Sequence, residues 1–314
     1  MQFRTQIPVS KSDFPIDYHS GIVSLGSCFA ENIGEKFDYF KFRNSVNPFG
    51  IIFNPVSLET IIRRSLQKKY FTEDDIFYHN DLWHCFEVHS ELSTADKELF
   101  LKKLNQTLDE FHKLLIESSH IIFTLGTAWV YRNVENGQIV ANCHKVPQKQ
   151  FTKELLSVAQ IEESIQNIIL LITSANKEAK FIFTVSPVRH IKDGFVENQQ
   201  SKSHLITALH QTLSTNFSAY FPSYEIMMDE LRDYRFYAED MLHPNQTAID
   251  YIWVRFFENF VAEKEFQLMQ QVCDIQKALH HRPFNPESES HQKFLDNLQK
   301  KITVLQKQLP HIRF

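Results

Sequence analysis

The chain has 314 residues, 43% of them hydrophobic and 28 of them Phe, so it can bury a substantial core and lacks a disordered composition. A formal charge of −5 gives no bulk electrostatic reason to expect nucleic acid as a partner. Four widely spaced cysteines without a Cys-x-x-Cys pair argue against a zinc ribbon and a disulfide scaffold. The N-terminus has no secretory h-region and no apolar run is long enough to span a membrane, so we expect a cytoplasmic protein without membrane contact.

Short apolar runs alternate with helical patterns along most of the chain. The predicted strands are 22–25, 120–125 and 180–185. The predicted helices are 28–40, 55–64, 99–115, 153–175 and 249–260. The strands are apolar on both faces, which is typical of a parallel sheet covered by helices. This order predicts a doubly wound α/β fold with a mostly parallel sheet.

Two further segments lie outside this pattern. Val130–Arg132 and Ile139–Ala141 are expected to form a hairpin, with Asn136-Gly137 as its turn. Around 282–290 the composition turns to Pro, Ser and charge, which indicates a linker.

Beyond the linker, an apolar stripe at helical spacing predicts a C-terminal helix. Its members are Phe294, Leu298, Ile302, Leu305 and Leu309. The stripe either packs on its own domain or docks a second subunit, which would make a homo-oligomer. We therefore predict a main domain over residues 1–262 and a helical C-terminal extension over residues 263–314.

Residues that can carry chemistry follow the predicted strands, where open α/β sheets collect their reactive groups. Gly26-Ser27-Cys28 follows the first strand, Gly126-Thr127-Ala128 the second, and Arg189-His190 come shortly after the third. Late in the chain, Asp240 and His243 precede the last apolar helix. An Asp three residues before a His can orient one imidazole nitrogen while the other faces a nucleophile.

Six motifs, in this order, resemble those of a known family. They are "LGSCFAENIG" at 25–34, "NPFGIIFNP" at 47–55, "FTLGTAWVY" at 123–131, "NCHKVP" at 142–147, "TVSPVRH" at 184–190 and "DMLHPN" at 240–245. The chain is thereby similar, over roughly residues 20–260, to the GSCFA family, which is grouped with the SGNH (GDSL-type) hydrolases. The resemblance implies a three-layer α/β/α flavodoxin-like fold and a hydrolase-type site, but no substrate.

The resemblance also implies roles for individual residues. Asp240 and His243 match the Asp-x-x-His block, and Gly50 matches the glycine of the oxyanion hole. Where a Gly-x-Asn block is expected, the chain has Gly126-Thr127-Ala128. Either the hydroxyl of Thr127 donates in place of the Asn side chain, or this oxyanion donor is missing. Losing one such donor typically costs about 10²–10³ in turnover.

The first block leaves the nucleophile open. When Gly26-Ser27-Cys28 is aligned without a gap to the Gly-Asp-Ser block of the SGNH hydrolases, Cys28 occupies the nucleophile position. A shift of the alignment by one residue places Ser27 there instead. A Cys at a helix N-terminus beside a His is chemically reasonable, because both favour the thiolate. The third alternative is a site without covalent catalysis.

Several other residues are candidates for the substrate pocket. His144 follows the hairpin and either covers the site or is structural, and Arg189 and His190 either bind an anionic group or cap and pair locally. The segment 198–204 is interpreted as a solvated helix start or as a border of the pocket. His84 and His89 alternate onto opposite faces, and no metal-ligand spacing occurs, so no metal or other cofactor is expected.

Two functions from different classes remain. The first is an acyl hydrolase or acyltransferase acting on an ester or thioester, with carbohydrate esters suggested only by the fold. The second is a non-catalytic binding protein on a degenerate site, which the missing Asn and the altered Gly-Asp-Ser block favour.

Overall fold

The computed structural model of the protein describes residues 5–213 and 217–314. Its strands are β1 (Gly21–Gly26), β2 (Arg43–Val46), β3 (Phe77–His79), β4 (Leu82–His84), β5 (His120–Leu125), β6 (Trp129–Asn133), β7 (Ile139–Val140), β8 (Phe151–Leu155), β9 (Lys180–Val185) and β10 (Ser218–Tyr220). Its helices are α1 (Cys28–Tyr39), α2 (Pro55–Leu66), α3 (Lys97–Glu117), α4 (Val158–Ala175), α5 (Phe195–Thr212), α6 (Ser223–Glu225), α7 (Gln246–Phe260), α8 (Phe266–Leu279) and α9 (Glu289–Gln308).

Five strands form a parallel sheet in the order β2-β1-β5-β9-β10. The chain first moves from β1 outward to β2, then returns to the other side of β1 and continues through β5 and β9. The direction of winding therefore reverses between β1 and β5. In such folds, ligands bind at the carboxyl ends of the strands beside this reversal.

Helices cover both faces of the sheet and bury two separate apolar clusters. Side chains of α2, α3, α4 and α5 form the first cluster, and side chains of α1, α7, α8 and α9 form the second. The strands contribute to both, because successive residues point to opposite faces: Phe181 and Phe183 enter the first cluster and Ile182 the second. The predicted α/β fold with a mostly parallel sheet and helices on both sides is confirmed.

A small antiparallel sheet, β7-β6-β8, stands beside the main one. The predicted hairpin is present, with Tyr131 opposite Val140. The helix expected over 153–175 is wrong in its first turn, since residues Phe151–Leu155 form β8 and pair with β6. Two residues after that strand, Ser157 caps α4 and accepts a hydrogen bond from Gln160 N at 3.3 Å in a capping box.

The C-terminal helix α9 packs on its own chain. Leu298, Ile302 and Leu305 are buried in the second cluster, with Leu305 only 1% exposed, whereas Phe294 at the start of the stripe is 36% exposed. The C-terminal region is helical, as predicted. Among the helices formed by residues 5–213 and 217–314, none combines the length and apolar character needed to cross a membrane.

Candidate active site

The turn between β1 and α1 depends on a glycine. Gly26 has φ +135°, and a Cβ there would lie 2.1 Å from the carbonyl oxygen of Thr124 on β5. Its N–H donates to Asn47 Oδ1 at 2.8 Å, in the loop after β2. The glycine thus lets β1 end against β5 and sends the chain directly into α1.

The next two residues occupy different environments. Ser27 is 1% exposed, and it is the N-cap of α1: its Oγ accepts a hydrogen bond from Phe29 N at 3.3 Å. Its own N–H donates to Thr124 O at 3.0 Å. Cys28 begins the helix, and its thiol is partly exposed. Of the two nucleophile candidates, Cys28 is therefore the accessible one.

The surroundings of Cys28 favour the protonated thiol. Burial and the nearby carboxylate of Glu31 raise its pKa above the ordinary value for cysteine. The N–H groups of Phe29 and of Cys28 itself, together with the ammonium of Lys202, act in the opposite direction without reversing the shift. A reaction through this sulfur therefore needs a base to remove the proton.

Asp240 and His243 form the pair predicted from their spacing. His243 Nδ1 lies 2.6 Å from Asp240 Oδ2, while Asp240 Oδ1 accepts from the N–H groups of Leu242 at 2.8 Å and His243 at 3.0 Å. These N–H groups and the imidazole lower the pKa of Asp240 to about 2, so it stays ionised. Because Nδ1 of His243 is bonded to Asp240, its Nε2 is the ring nitrogen that can bond a group in the adjacent groove.

That groove, of about 550 Å³, opens at the carboxyl edge of the sheet. Its lining includes Phe53 before α2, Trp129 and Tyr131 on β6, Arg189 after β9, and His243. Thr127, His190 and Cys143 also line it, whereas Ser27 and Cys28 lie outside the lining. The groove therefore joins an aromatic wall to the Asp240–His243 pair.

The two residues predicted to complete an oxyanion hole are engaged elsewhere. Gly50, at φ +75°, donates its N–H to Asn47 O at 2.7 Å in the turn after β2. Thr127 Oγ1 accepts from Trp129 N at 3.0 Å and lies 2.8 Å from Ser201 Oγ. Neither group points a free donor at Cys28 as the site stands.

Arg189 and His190 both line the groove, and their polar atoms are bonded differently. Arg189 lies over the rings of Phe195, Tyr234 and Tyr237 at 5.3–5.7 Å, and its Nη1 donates to Met241 O at 3.1 Å. Arg189 is therefore bonded to the loop that carries His243 through one of its five N–H donors.

His190 has its N–H bonded to Asn198 Oδ1 at 2.8 Å, whereas its Nε2 is buried with no hydrogen-bond partner among the described residues. Burial, and then the charges of Lys202 and His243, lower its pKa to about 3, so the imidazole is neutral. Nε2 lies 3.2 Å from the position of a Cβ built on Gly126, that is, at the end of β5. His190 therefore presents an unused nitrogen beside the block that lacks its Asn.

His144 is not part of the groove lining. Its Nε2 lies 2.7 Å from Cys85 O, and its ring packs against Phe77, His84 and Phe86. Burial lowers its pKa to about 4. The structural alternative for His144 is thus the one that the geometry supports, and its neighbour Cys143 faces the groove instead.

Lys202 belongs to the segment 198–204, for which the sequence left two interpretations open, a solvated helix start or a border of the pocket. It lies on α5, is 1% exposed, and donates from Nζ to Gly126 O at 2.7 Å and Ser186 O at 2.8 Å. The interpretation of 198–204 as a solvated helix start is wrong, since Asn198, Ser201 and Lys202 are all buried. Their i, i+3, i+4 spacing, which continues to Leu205, was the available signal.

The thiol of Cys28 and the imidazole of His243 have separate hydrogen-bond surroundings. Within the described chain, no hydrogen bond joins Cys28 or Ser27 to His243. The charges of Lys202 and His243 both act on His190, and the charge of Lys202 acts on Cys28.

The fold and this edge of the sheet define a doubly wound α/β protein with ionisable groups gathered where the winding reverses. The GSCFA family model matches residues 21–256, more than half of the chain. A second model, for the C-terminal domain of GSCFA domain proteins, matches residues 272–314. The chain therefore belongs to the GSCFA family. No curated protein matches it.

Proposed function

We propose that the protein is an SGNH-like acyl hydrolase or acyltransferase that uses Cys28 as its nucleophile. The observation that carries the proposal is the Asp240–His243 pair, at 2.6 Å, beside a groove at the sheet edge where α1 begins with a partly exposed thiol. The substrate class is an ester or thioester, of a small molecule or a carbohydrate. The net charge of −5 gives no support to a nucleic acid partner.

In the proposed reaction, substrate binding brings the Cys28 thiol within hydrogen-bond reach of His243 Nε2, directly or through one water. The thiol then gives its proton to His243, and the thiolate attacks the acyl carbon. The bond to the leaving alcohol or thiol then breaks, and His243 returns the proton to that group. Water or an acceptor hydroxyl next gives a proton to His243 and attacks the acyl-enzyme. The bond between the acyl carbon and the Cys28 sulfur breaks, and His243 returns the proton to the sulfur, which restores the thiol. The acyl group has to bridge from the groove to the N-terminus of α1, since the two side chains are not hydrogen-bonded.

Two donors suit the negative charge that develops on the acyl oxygen. The N–H of Cys28 lies at the start of α1, where helix N–H groups have no intrahelical acceptor and favour negative charge. His190 Nε2, neutral and without a partner in the described part of the chain, is the second. A neutral imidazole can donate to an oxyanion, so His190 takes the place of the missing Asn.

We also propose that the protein works in the cytoplasm. Cys28, Cys85, Cys143 and Cys273 are all free thiols, and a cysteine nucleophile has to stay reduced. A reducing compartment satisfies that requirement.

Cysteine labelling and acyl turnover test the nucleophile together. Iodoacetamide is expected to label Cys28, and turnover of 4-nitrophenyl acetate should vanish in Cys28→Ala and persist in Ser27→Ala. His243→Gln should lower turnover by about 10²–10⁴, the usual contribution of a general base. Cys273→Ala is the matched control, because this free cysteine is also partly exposed but lies on α8, outside the groove lining, and should leave turnover unchanged.

The alternative function is a binding protein on a degenerate site, which the engaged Gly50 N–H and Thr127 hydroxyl favour. Turnover that survives both Cys28→Ala and Ser27→Ala would refute covalent catalysis. A folded wild-type protein with no turnover of esters or thioesters, and no labelling that depends on His243, would support the binding alternative.

A further inference from the structure

Arg189 is bonded to the loop that carries the proposed base. Its backbone N–H donates to Leu242 O at 3.1 Å, and its Nη1 donates to Met241 O at 3.1 Å. Both acceptors lie within two residues of His243, and Arg189 and His243 line the same groove. Asp240, a carboxylate of that loop, is bonded to His243 and to backbone N–H groups. A guanidinium has five N–H donors, so the bond to Met241 leaves four for a ligand in the groove.

Three aromatic rings surround this guanidinium. Its central carbon lies 5.3 Å from the ring centre of Phe195, 5.5 Å from that of Tyr237 and 5.7 Å from that of Tyr234. Rings attract the face of a guanidinium and leave the N–H groups in its plane, so they orient the cation without using its donors. An oriented fork of N–H groups binds a carboxylate or a phosphate through two parallel hydrogen bonds.

The charges of the groove lining are unbalanced. Among its described residues, the side chains that are charged at neutral pH are Arg189, Lys192 and Asp193. Asp193 forms an ion pair with Lys153, which lies over the aromatic wall of the groove. Within residues 5–213 and 217–314, neither Arg189 nor Lys192 forms an ion pair with a carboxylate. Two unpaired cations therefore line the groove, in a chain whose formal charge is −5.

The charges on the other side of Arg189 are already paired. Arg189 also lines a neighbouring cavity of about 200 Å³, together with Arg232 and Asp233. Arg232 lies 3.4 Å from Asp229, and Asp233 lies 3.5 Å from Arg235. These pairs leave the positive charge of Arg189 without a partner from this side as well.

We propose that Arg189 and Lys192 bind an anionic group of the substrate, a carboxylate or a phosphate. The protein then prefers an anionic ester or thioester to the neutral one of matched length. This substrate class rests on the proposed acyl transfer and narrows it. Arg189 supplies the paired N–H groups and Lys192 a point charge, so that the anion is held beside the loop of His243.

The test compares kcat/KM for two matched pairs of acyl donors. The 4-nitrophenyl monoester of hexanedioate against 4-nitrophenyl hexanoate tests a carboxylate. S-acetyl-4′-phosphopantetheine against S-acetylpantetheine tests a phosphate. We expect the anionic member of at least one pair to be turned over about tenfold more efficiently, as for a charged hydrogen bond, and that pair identifies the anion. Equal kcat/KM within both pairs would overturn the proposal.

Arg189→Gln separates binding of an anion from a purely structural role. The variant keeps an N–H donor for Met241 O and removes the charge, so the ratio of anionic to neutral kcat/KM should fall toward one. A residue that only fastens the loop would lower both values equally and leave the ratio unchanged, which would refute the proposal. Lys192→Gln should also lower the ratio. Arg232→Gln is the matched control: this arginine is 78% exposed and paired with Asp229, and its loss should leave the ratio in place.

Two further measurements cover a variant that does not fold and a protein without turnover. In the wild type, the preference should shrink as NaCl rises from about 0.02 to 0.5 M, because salt screens the two cations; a preference that is insensitive to salt would count against them. Calorimetry with 4′-phosphopantetheine against pantetheine, and with hexanedioate monoamide against hexanamide, needs no reaction. Tighter binding of an anionic member without any turnover would refute the proposed function and retain the anion site. Equal binding within both pairs would overturn the anion site itself.

Discussion

Gly26 shows how one residue controls the approach of two strands. Its N–H is fixed by Asn47, its φ is in a region that side chains rarely adopt, and the carbonyl of Thr124 occupies the space of a Cβ. Ser27 then donates to that same carbonyl. The position of the nucleophile candidate therefore depends on a backbone contact, and the side chains around it only complete the site.

Gly26→Ala is expected to lower the free energy of unfolding by about 3 kcal/mol, since strain at φ +135° adds to a clash with backbone atoms. Gly137→Ala is the control: its φ is +71°, but no atom lies within 4 Å of the added Cβ, so only about 1 kcal/mol is expected. Urea unfolding followed by circular dichroism measures both. Equal losses would show that the contact with Thr124 does not matter.

At the scale of elements, the start of α7 positions the Asp240–His243 pair. Asn245 caps the helix by accepting from Ala248 N at 3.1 Å, and its Nδ2 donates to Arg235 O at 2.6 Å. Its N–H also bonds Phe236 O at 2.9 Å. The loop with His243 is therefore fastened to α7 and to the segment before it through one side chain.

Asn245→Ala should remove the cap and loosen the loop together. We expect a loss of about 1–2 kcal/mol in the free energy of unfolding, as for other N-caps, and a fall in acyl turnover of roughly tenfold or more from the displaced imidazole. Asp96→Ala is the control: Asp96 caps α3, and its Oδ1 accepts a hydrogen bond from Leu99 N at 2.9 Å. It should show a stability loss of the same kind with unchanged turnover. An Asn245→Ala protein with full turnover would contradict the positioning role.

The elements predicted from the sequence are those with a strong apolar pattern. The inner strands β1, β5 and β9 are buried on nearly every residue and were recognised. The edge strands β2 (Arg43–Val46) and β10 (Ser218–Tyr220) are short and half-exposed, so their sequences carry no such pattern. The start of α4 was misplaced because Leu155 fits helical spacing, although Ser157 and Gln160 already form a capping box in the sequence.

The residues of the candidate site also differ in how well the sequence predicts them. The contact between Asp240 and His243 is local, at i and i+3, so spacing alone predicted it. The burial of Lys202 depends on α5 packing over the ends of β5 and β9, which lie 76 and 16 residues away along the chain. The structural role of His144 likewise depends on a contact with the carbonyl of Cys85, 59 residues earlier in the chain. Polar residues buried by distant segments give only a weak periodic signal, since a helical stripe of polar side chains is also typical of a solvated face.

At the scale of the whole molecule, two clusters on opposite faces of one sheet make the C-terminal helix part of the fold. The second cluster joins α1, which carries Cys28, and α7, which begins after His243, to α8 and α9. Both helices that position the proposed reacting groups thus pack against the C-terminal region. Loss of packing there is expected to reach the site through α1 and α7.

The apolar stripe of α9 has two interpretations: it packs on its own chain, or it docks a second copy of the protein. A mutation in the stripe tests which of the two applies in solution. Leu305 is 1% exposed and its neighbour Val304 is 56% exposed on the opposite side. If the stripe packs on its own chain, Leu305→Ala should lower the free energy of unfolding by about 2–5 kcal/mol, while Val304→Ala stays within about 0.5 kcal/mol of wild type. Light scattering should give the same mass for the wild type and both variants, because the stripe is covered within the chain. A mass that falls toward the 37.0 kDa of one chain in Leu305→Ala, with little loss of stability, would instead show that the helix docks a second copy.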